Sequence, residues 1–281
     1  MTNSRKVFVV TDSTSDIPAH LREELGIEVV PLSINFENET LLDGVDISPE
    51  QYVERLRTIE KLPSTAQPTV EQFQTAYRKG RDAGLDVICI TISTGLSGTH
   101  NSASLAAEQL DPARIRVVDS LAASTSLGWL VVETARAAEG GASLEEAVAV
   151  AERNRPNVHF FALLQTLDYV YKGGRIGRAG HMVGSALGIK PILGLDEGTV
   201  VPVERVRTWK KALNRMIDVA SSRGKLLDVA VLHTDTLPEA QKVVNELKSR
   251  FPDANYEIVF AGTTIATYAG PGAGGIMIRT E

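Results

Sequence analysis

Short apolar runs alternate with longer amphipathic stretches through the first half of the chain. Lys6-Val7-Phe8-Val9-Val10 reads as a buried strand that ends in the polar loop Thr11-Asp12-Ser13-Thr14-Ser15. A helix is predicted from Ile17 to Leu25, with Asp16 as its N-cap, Pro18 in its first turn and Gly26 as its stop. Ile27 to Leu32 reads as the next strand. Ser48-Pro49-Glu50 and Thr69-Val70-Glu71-Gln72 each open a helix, the second running from Val70 to Ala83. Asp86 to Ile92 is a strand, Thr99 to Leu110 a helix and Arg114 to Asp119 a strand. An Ala-rich helix then runs to about Glu139, where Gly140-Gly141 ends it. This strand–loop–helix order predicts a parallel sheet covered on both faces. Ligands of such sheets sit at the carboxyl ends of strands, where the hydroxyl-rich loops after Val10, Ile92 and Val118 fall.

The pattern changes at Val158. Strands are predicted at Val158–Leu163, Asp228–His233, Tyr256–Phe260 and Gly275–Arg279. Val200–Val206, interrupted by Pro202, reads as an edge strand. Helices fall near Thr208–Ser221 and Pro238–Phe251. The expectation is an α/β protein of two domains: a doubly wound parallel N-terminal domain over 1–157 and a mixed α+β C-terminal domain over 158–281.

Composition narrows the functions. A length of 281 residues supports two domains with ample cores. A net charge of -6, with no Lys/Arg block and 5% aromatic residues, argues against a nucleic-acid partner. The lone cysteine, Cys89, lies in an apolar run and reads as a core residue. No charged start leads into an apolar stretch, and no run of about 20 apolar residues exists, so neither a signal peptide nor a membrane span is expected. The expected location is the cytoplasm. His20, His100, His159, His181 and His233 show no metal-ligand spacing, so neither metal nor cofactor is expected.

Four segments are able to carry chemistry. Pro63-Ser64-Thr65-Ala66-Gln67-Pro68 is a loop stiffened at both ends, which aims its hydroxyls at little entropic cost; it also reads as a turn and cap. Ser93-Thr94-Gly95-Leu96-Ser97-Gly98-Thr99 joins a strand to a helix, where Ser97, Gly98 and Thr99 are placed to present free N–H groups and the positive helix end to an anion; it equally reads as an ordinary loop with a Ser or Thr cap. Lys172-Gly173-Gly174-Arg175-Ile176-Gly177-Arg178 places cations on a glycine-rich turn, either to bind an anion or simply solvated. Tyr268-Ala269-Gly270-Pro271-Gly272-Ala273-Gly274-Gly275 calls for unusual backbone angles or close approach to a neighbour; it also reads as a tight turn before the last strand. Gly95-Leu96-Ser97-Gly98-Thr99 departs from a nucleophile elbow because its second glycine comes too early, and no catalytic triad is supported.

Taken in order, these segments resemble the DegV family, whose members include the FakB fatty-acid-binding subunits of bacterial fatty acid kinase. The matching stretches are Asp12-Ser13, Thr65-Ala66-Gln67-Pro68, Ser93 to Thr99, Val118-Asp119-Ser120, Gly173-Gly174-Arg175-Ile176, Ile189-Lys190-Pro191-Ile192-Leu193, Arg207 with Lys210-Lys211-Ala212, and Gly270-Pro271-Gly272. Each is weak alone; the ordered set spans nearly the whole chain. The resemblance implies a bacterial, non-catalytic lipid-binding protein with an acyl chain in a tunnel between its domains. It implies that Thr65 and Ser97 hold the carboxylate, with Thr94 nearby, and that Arg175, Tyr268 and Ser13 lie at the head group or a partner site. A fatty acid kinase subunit would then carry ATP and metal and form an acyl phosphate. Burying one methylene is worth ~0.8 kcal/mol, so the tail of an acid of roughly C16–C18, such as palmitate, supplies most of the affinity.

Two positions depart from the family pattern. Ala66 stands where serine is usual, which removes a donor, and Tyr268 stands where histidine is usual. A tyrosine donates a hydrogen bond but stays neutral near pH 7, so it lacks histidine's titratable charge. The competing readings are an enzyme acting on a small anionic metabolite through Ser97 or Arg175, and a lipid sensor without a kinase partner.

Overall fold

The computed structural model describes residues 5–185 and 188–281. In chain order its strands are β1 (Val7–Asp12), β2 (Glu28–Val30), β3 (Ser33–Asn35), β4 (Thr40–Leu42), β5 (Ser64–Ala66), β6 (Asp86–Thr91), β7 (Ile115–Asp119), β8 (Val158–Leu163), β9 (Lys190–Asp196), β10 (Thr199–Val206), β11 (Leu226–His233), β12 (Asn255–Phe260) and β13 (Gly274–Thr280). The helices are α1 (Ala19–Glu24), α2 (Pro49–Leu56), α3 (Val70–Asp82), α4 (Thr99–Leu110), α5 (Thr125–Glu139), α6 (Leu144–Asn154), α7 (Asp168–Lys172), α8 (Trp209–Ser221), α9 (Leu237–Arg250) and α10 (Thr263–Ala269).

Two compact units divide the chain. The first takes the chain up to Ser33 together with Ala66–Pro156; the second takes Ile34–Thr65 together with Asn157–Glu281. The sequence reading kept residues 34–65 in the first domain. Packing places them in the second, because Ile34, Tyr52, Val53 and Leu56 form one buried cluster with Ala266 of α10. A local pattern cannot show which distant element an apolar face will meet.

The first unit is built on a parallel sheet ordered β2-β1-β6-β7. From β1 the chain moves outward to β2, and from β6 it moves the other way to β7, so the order reverses between β1 and β6. The loops after these two strands therefore diverge, and sheets of this kind take ligands at such a point. Phe73 and Tyr77 of α3, with Ala103, Ala106 and Ala107 of α4, pack on Val10, Val87 and Cys89. Burying a side chain such as Phe73 contributes roughly 1.5–3 kcal/mol. Cys89 is wholly buried, and that burial pushes its thiol pKa up, as befits a core residue rather than a nucleophile.

Capping explains where several helices start. Ser48 with Gln51 and Thr69 with Gln72 form reciprocal capping boxes at α2 and α3, at the predicted places. Ser143 with Glu146 does the same for α6, a helix the periodicity reading passed over. The Asp16 cap is a correction. The first helix begins two residues later than predicted, at Ala19, and Asp16 has φ +48° with its carboxylate accepting from Ser124 Oγ at 2.6 Å.

The second unit carries a six-stranded sheet ordered β10-β9-β8-β13-β11-β12, antiparallel except for β11 with β12. β10 is the edge strand that Pro202 predicts, and its register shifts between Pro202 and Glu204. One face, including Phe161, Leu163, Ile192, Val229, Val231, Ile276 and Ile278, packs against α8 and α9. The pleat turns Phe160, Ala162, Leu193, Ala230, Leu232 and Met277 to the other face. β3, β4 and β5 make a separate three-stranded sheet.

Candidate functional site

In the first unit, the carboxylate at the end of β1 organises the crevice. Asp12 is buried; its Oδ1 accepts from the Thr14 backbone N–H at 3.0 Å, and its Oδ2 accepts from Ile92 N–H at 2.8 Å. One side chain thus ties the loop after β1 to the loop after β6. Ser13 Oγ, beside it, accepts from Leu32 N–H at 3.0 Å. At the end of β7, Asp119 accepts from Thr94 Oγ1 at 2.6 Å and from Leu121 N–H at 2.9 Å. Asp16, Leu121 and Ser124 hold positive φ angles in these loops, backbone states that non-glycine residues rarely adopt and that cluster at ligand sites.

Ser97 lies just ahead of α4, whose N-cap is Gly98. Its Oγ is 2.8 Å from Thr99 Oγ1 and accepts from Thr99 N–H at 3.3 Å. The expectation of free N–H groups at Ser97, Gly98 and Thr99 needs correction at Ser97 and Thr99. Ser97 N–H donates to Ser93 O at 3.1 Å and Thr99 N–H to the Ser97 hydroxyl, because a turn precedes the helix. The positive helix end remains, carried by the other N–H groups of the first turn. A Cβ on Gly98 would come 2.2 Å from Gln67 Oε1, so only glycine lets the Gln67 amide lie there. Gln67 in turn donates to Ser102 Oγ at 2.9 Å.

In the second unit, Thr65, Arg175 and Tyr268 come together although the sequence separates them widely. Thr65 Oγ1 is 2.6 Å from Tyr268 Oη. The Arg175 guanidinium carbon lies 5.1 Å from the centre of the Tyr268 ring, and Arg175 Nη1 donates to Gly173 O at 2.7 Å. Gly173 packs under the same ring, where a Cβ would approach within 2.6 Å. Tyr268 lies in the last turn of α10, whose first turn is anchored by the buried carboxylate of Asp43: Thr263 Oγ1 and Thr264 Oγ1 both donate to it.

The Gly-Pro-Gly turn follows at once. Gly270 has φ +77°, and a Cβ there would reach within 2.4 Å of the Tyr169 ring. Thr234 Oγ1 donates to Gly270 O at 2.9 Å, Asp235 Oδ1 accepts from Gly272 N–H at 2.9 Å, and Arg57 pairs with the other Asp235 oxygen. Lys190 Nζ donates to Gln165 Oε1 at 2.8 Å, and Gln165 Nε2 donates to Gly272 O at 3.1 Å. Burial pushes the Tyr169 phenol pKa up, with Asp168 adding to the shift and Arg57 opposing it.

Ser13, Thr94 and Ser97 thus belong to the first unit, and Thr65, Arg175 and Tyr268 to the second. The residues that the sequence reading gave no role are the organisers Asp12, Asp119, Gln67, Asp43 and Asp235. An Asp directly before a serine at a strand end, as in Asp12-Ser13 and Asp119-Ser120, was the available signal for two of them. Among the described residues no cluster of three or more His, Cys, Asp or Glu is arranged to hold a metal, and no helix is long and apolar enough to cross a membrane.

The family model described as "Uncharacterised protein, DegV family" matches residues 6–281. A DegV domain-containing protein of Streptomyces coelicolor is 36% identical over 282 residues, covering 99% of this chain and all of the relative. A DegV family protein from Thermus thermophilus, whose structure is described as showing fatty acid binding, is 34% identical with a TM-score of 0.90, over 98% of this chain and 100% of that one. A stearic-acid-binding protein from Eubacterium ventriosum is 29% identical with a TM-score of 0.86, over 96% and 97%. These matches run the full length of both partners and preserve the α/β architecture. The chain belongs to the DegV family.

Proposed function

We propose that this protein binds one long-chain fatty acid, of roughly C16–C18, and does not itself transform it. The observation that carries the proposal is the whole-length match to two proteins described as binding fatty acid, one of them stearic acid, in a chain that keeps hydroxyls at Thr65 and Ser97. In this reading Thr65 and Ser97 donate to the carboxylate, with Thr94 nearby, and the positive end of α4 offsets its charge. A carboxylate taken from water needs several donors to avoid a heavy penalty. Arg175, Tyr268 and Ser13 flank the head group or face a partner.

A hydroxyl carries one proton and two acceptor sites. If Tyr268 Oη donates to Thr65 Oγ1, the Thr65 proton is left for the ligand. The same holds for Ser97 when Thr99 donates to it. Mass spectrometry of organic extracts from protein purified out of a bacterial host tests the proposal. A stoichiometric C16–C18 acid is expected; absence of lipid, together with no heat of binding on stearate titration, would overturn it.

The proposal extends to presentation of the carboxylate to a fatty acid kinase subunit. There a carboxylate oxygen takes the terminal phosphoryl group of ATP, ADP leaves, and an acyl phosphate forms. A second reading, a lipid sensor with no kinase partner, is favoured by Tyr268, which supplies no titratable charge where the family usually has histidine. Hydroxylamine trapping of acyl phosphate in a mixture of this protein, stearate, ATP and a bacterial fatty acid kinase subunit separates the two: hydroxamate supports presentation, and its absence beside demonstrated stearate binding supports the sensor.

A further inference from the structure

The first unit holds a cavity away from every residue assigned above. It measures about 630 Å³ and opens beside β2, the edge strand of the parallel sheet. Phe8, Ile27 and Val29 give it an apolar lining, while Arg22 and Glu23 of α1, Glu28 of β2 and Lys79 of α3 bring charge to it. These charges are not equally satisfied. Lys79 is paired with Glu28 at 2.7 Å, and Glu23 is exposed. The guanidinium of Arg22 has no hydrogen-bond or ion-pair partner among the described residues, and its Nε is shut off from solvent. Arg22 lies in the last turn of α1, where the helix dipole favours a cation, but a dipole supplies no acceptor for a buried N–H.

We infer that this cavity binds a small monocarboxylate with an apolar body, its carboxylate on Arg22 and its hydrocarbon against Phe8, Ile27 and Val29. Arginine's forked donors match a planar carboxylate, and the end of the Arg22 guanidinium that lines the cavity is where such a group would seat. Two cations, Arg22 and Lys79, stand against two carboxylates, Glu23 and Glu28, so the cavity suits at most one added negative charge. A phosphate dianion would meet Glu23 and Glu28 at the same place. The volume lies within the usual span of small-molecule sites, about 300–1,000 Å³. The inference stands apart from the fatty-acid proposal, since no residue is shared.

Hexanoate titrated into the stearate-saturated full chain, followed through backbone amide NMR signals, tests it. The shifts are expected to cluster at residues 19–29 and around Lys79. Arg22→Gln is expected to weaken hexanoate by at least about tenfold, the loss of one charge-assisted hydrogen bond, while leaving the far-UV spectrum and stearate uptake unchanged. Hexanol, equally apolar but uncharged, is expected to bind at least about tenfold more weakly, and that comparison needs no variant. Absence of shifts at these residues, equal binding of hexanoate by the variant, or equal binding of hexanol would each overturn the inference. If the protein takes up no stearate, the same titration on the unliganded chain still decides the cavity, so the two proposals fail separately.

Discussion

The Ser13 and Thr94 hydroxyls of the first unit meet backbone and carboxylate partners, whereas the Thr65 hydroxyl of the second unit rests on a phenol. Ser13 is held by Leu32 N–H, Thr94 by Asp119 and Ser97 by Thr99, each within one loop or between adjacent strand ends. The Thr65 hydroxyl meets Tyr268, 203 residues on, and Tyr268 is backed by Arg175 and by Gly173. The first arrangement fixes geometry through the carboxylates of Asp12 and Asp119, which receive protons and have none to offer a ligand. The second leaves a hydroxyl and a phenol in contact, able to reverse which of them donates, a freedom that the first unit has only where Ser97 meets Thr99. A carboxylate ligand needs both qualities, rigid placement and a proton free to turn toward it.

The largest effect that separates the two arrangements is on stability. Asp12→Ala strips the acceptor from the buried Thr14 and Ile92 amides at once. Unfolding in urea should show a loss of about 3 kcal/mol; a loss under about 1 kcal/mol would mean the crevice does not depend on this carboxylate. Next is the pair Thr65→Ala with Ser97→Ala. Each single change should weaken stearate about tenfold, and the pair about a hundredfold, by calorimetric titration. An unchanged affinity in the pair would place the head group elsewhere.

Smaller effects sharpen the contrast. Tyr268→Phe keeps the ring over which Arg175 lies and removes only the hydroxyl that supports Thr65. Stearate affinity should fall about three- to tenfold, the value of one neutral hydrogen bond. Thr94→Val should cost less than about threefold, because its proton is already given to Asp119 at 2.6 Å. If Thr94→Val proves as damaging as Ser97→Ala, then Thr94 exchanges Asp119 for the ligand, and the first unit is less fixed than its hydrogen bonds suggest.

What was legible in the sequence follows the range of the interaction concerned. Ser48 with Gln51 and Thr69 with Gln72 act across three residues, and they announced α2 and α3. Ser143 with Glu146 carries the same three-residue signal for α6, directly after the glycines that end α5. Pro202 marked the sheet edge because a missing N–H is a local fact. Asp16 was misread because Ser124, 108 residues away, claims its carboxylate. The placement of residues 34–65 in the second unit depends on Ile34 and Tyr52 meeting Ala266, which no window along the chain contains. The site followed the same rule. The individual motifs were visible, but the contact of Thr65 with Tyr268, and the part Asp43 plays in seating α10, required the folded chain.

The smallest expected effect is a pH dependence carried by two histidines of the second unit. His233 is 6% exposed, stacks edge-on against Phe260, and accepts from Asp235 N–H through Nδ1 at 3.2 Å. Burial lowers its pKa, with Glu50 partly opposing the shift. His159 is lowered as well, by burial and then by Arg223. A base whose folded pKa lies below its unfolded value binds fewer protons when folded. Its contribution is complete above the ordinary histidine value of about 6.5 and is lost as the pH falls from there through the folded pKa. Protonating Nδ1 also destroys the acceptor for Asp235 N–H, whose carboxylate positions Gly272. The urea midpoint should therefore drop between pH 7.5 and 5.5 in the native protein and drop less in His233→Asn. Equal drops would show that this imidazole does not carry the dependence, and that the Gly-Pro-Gly turn is held independently of proton uptake.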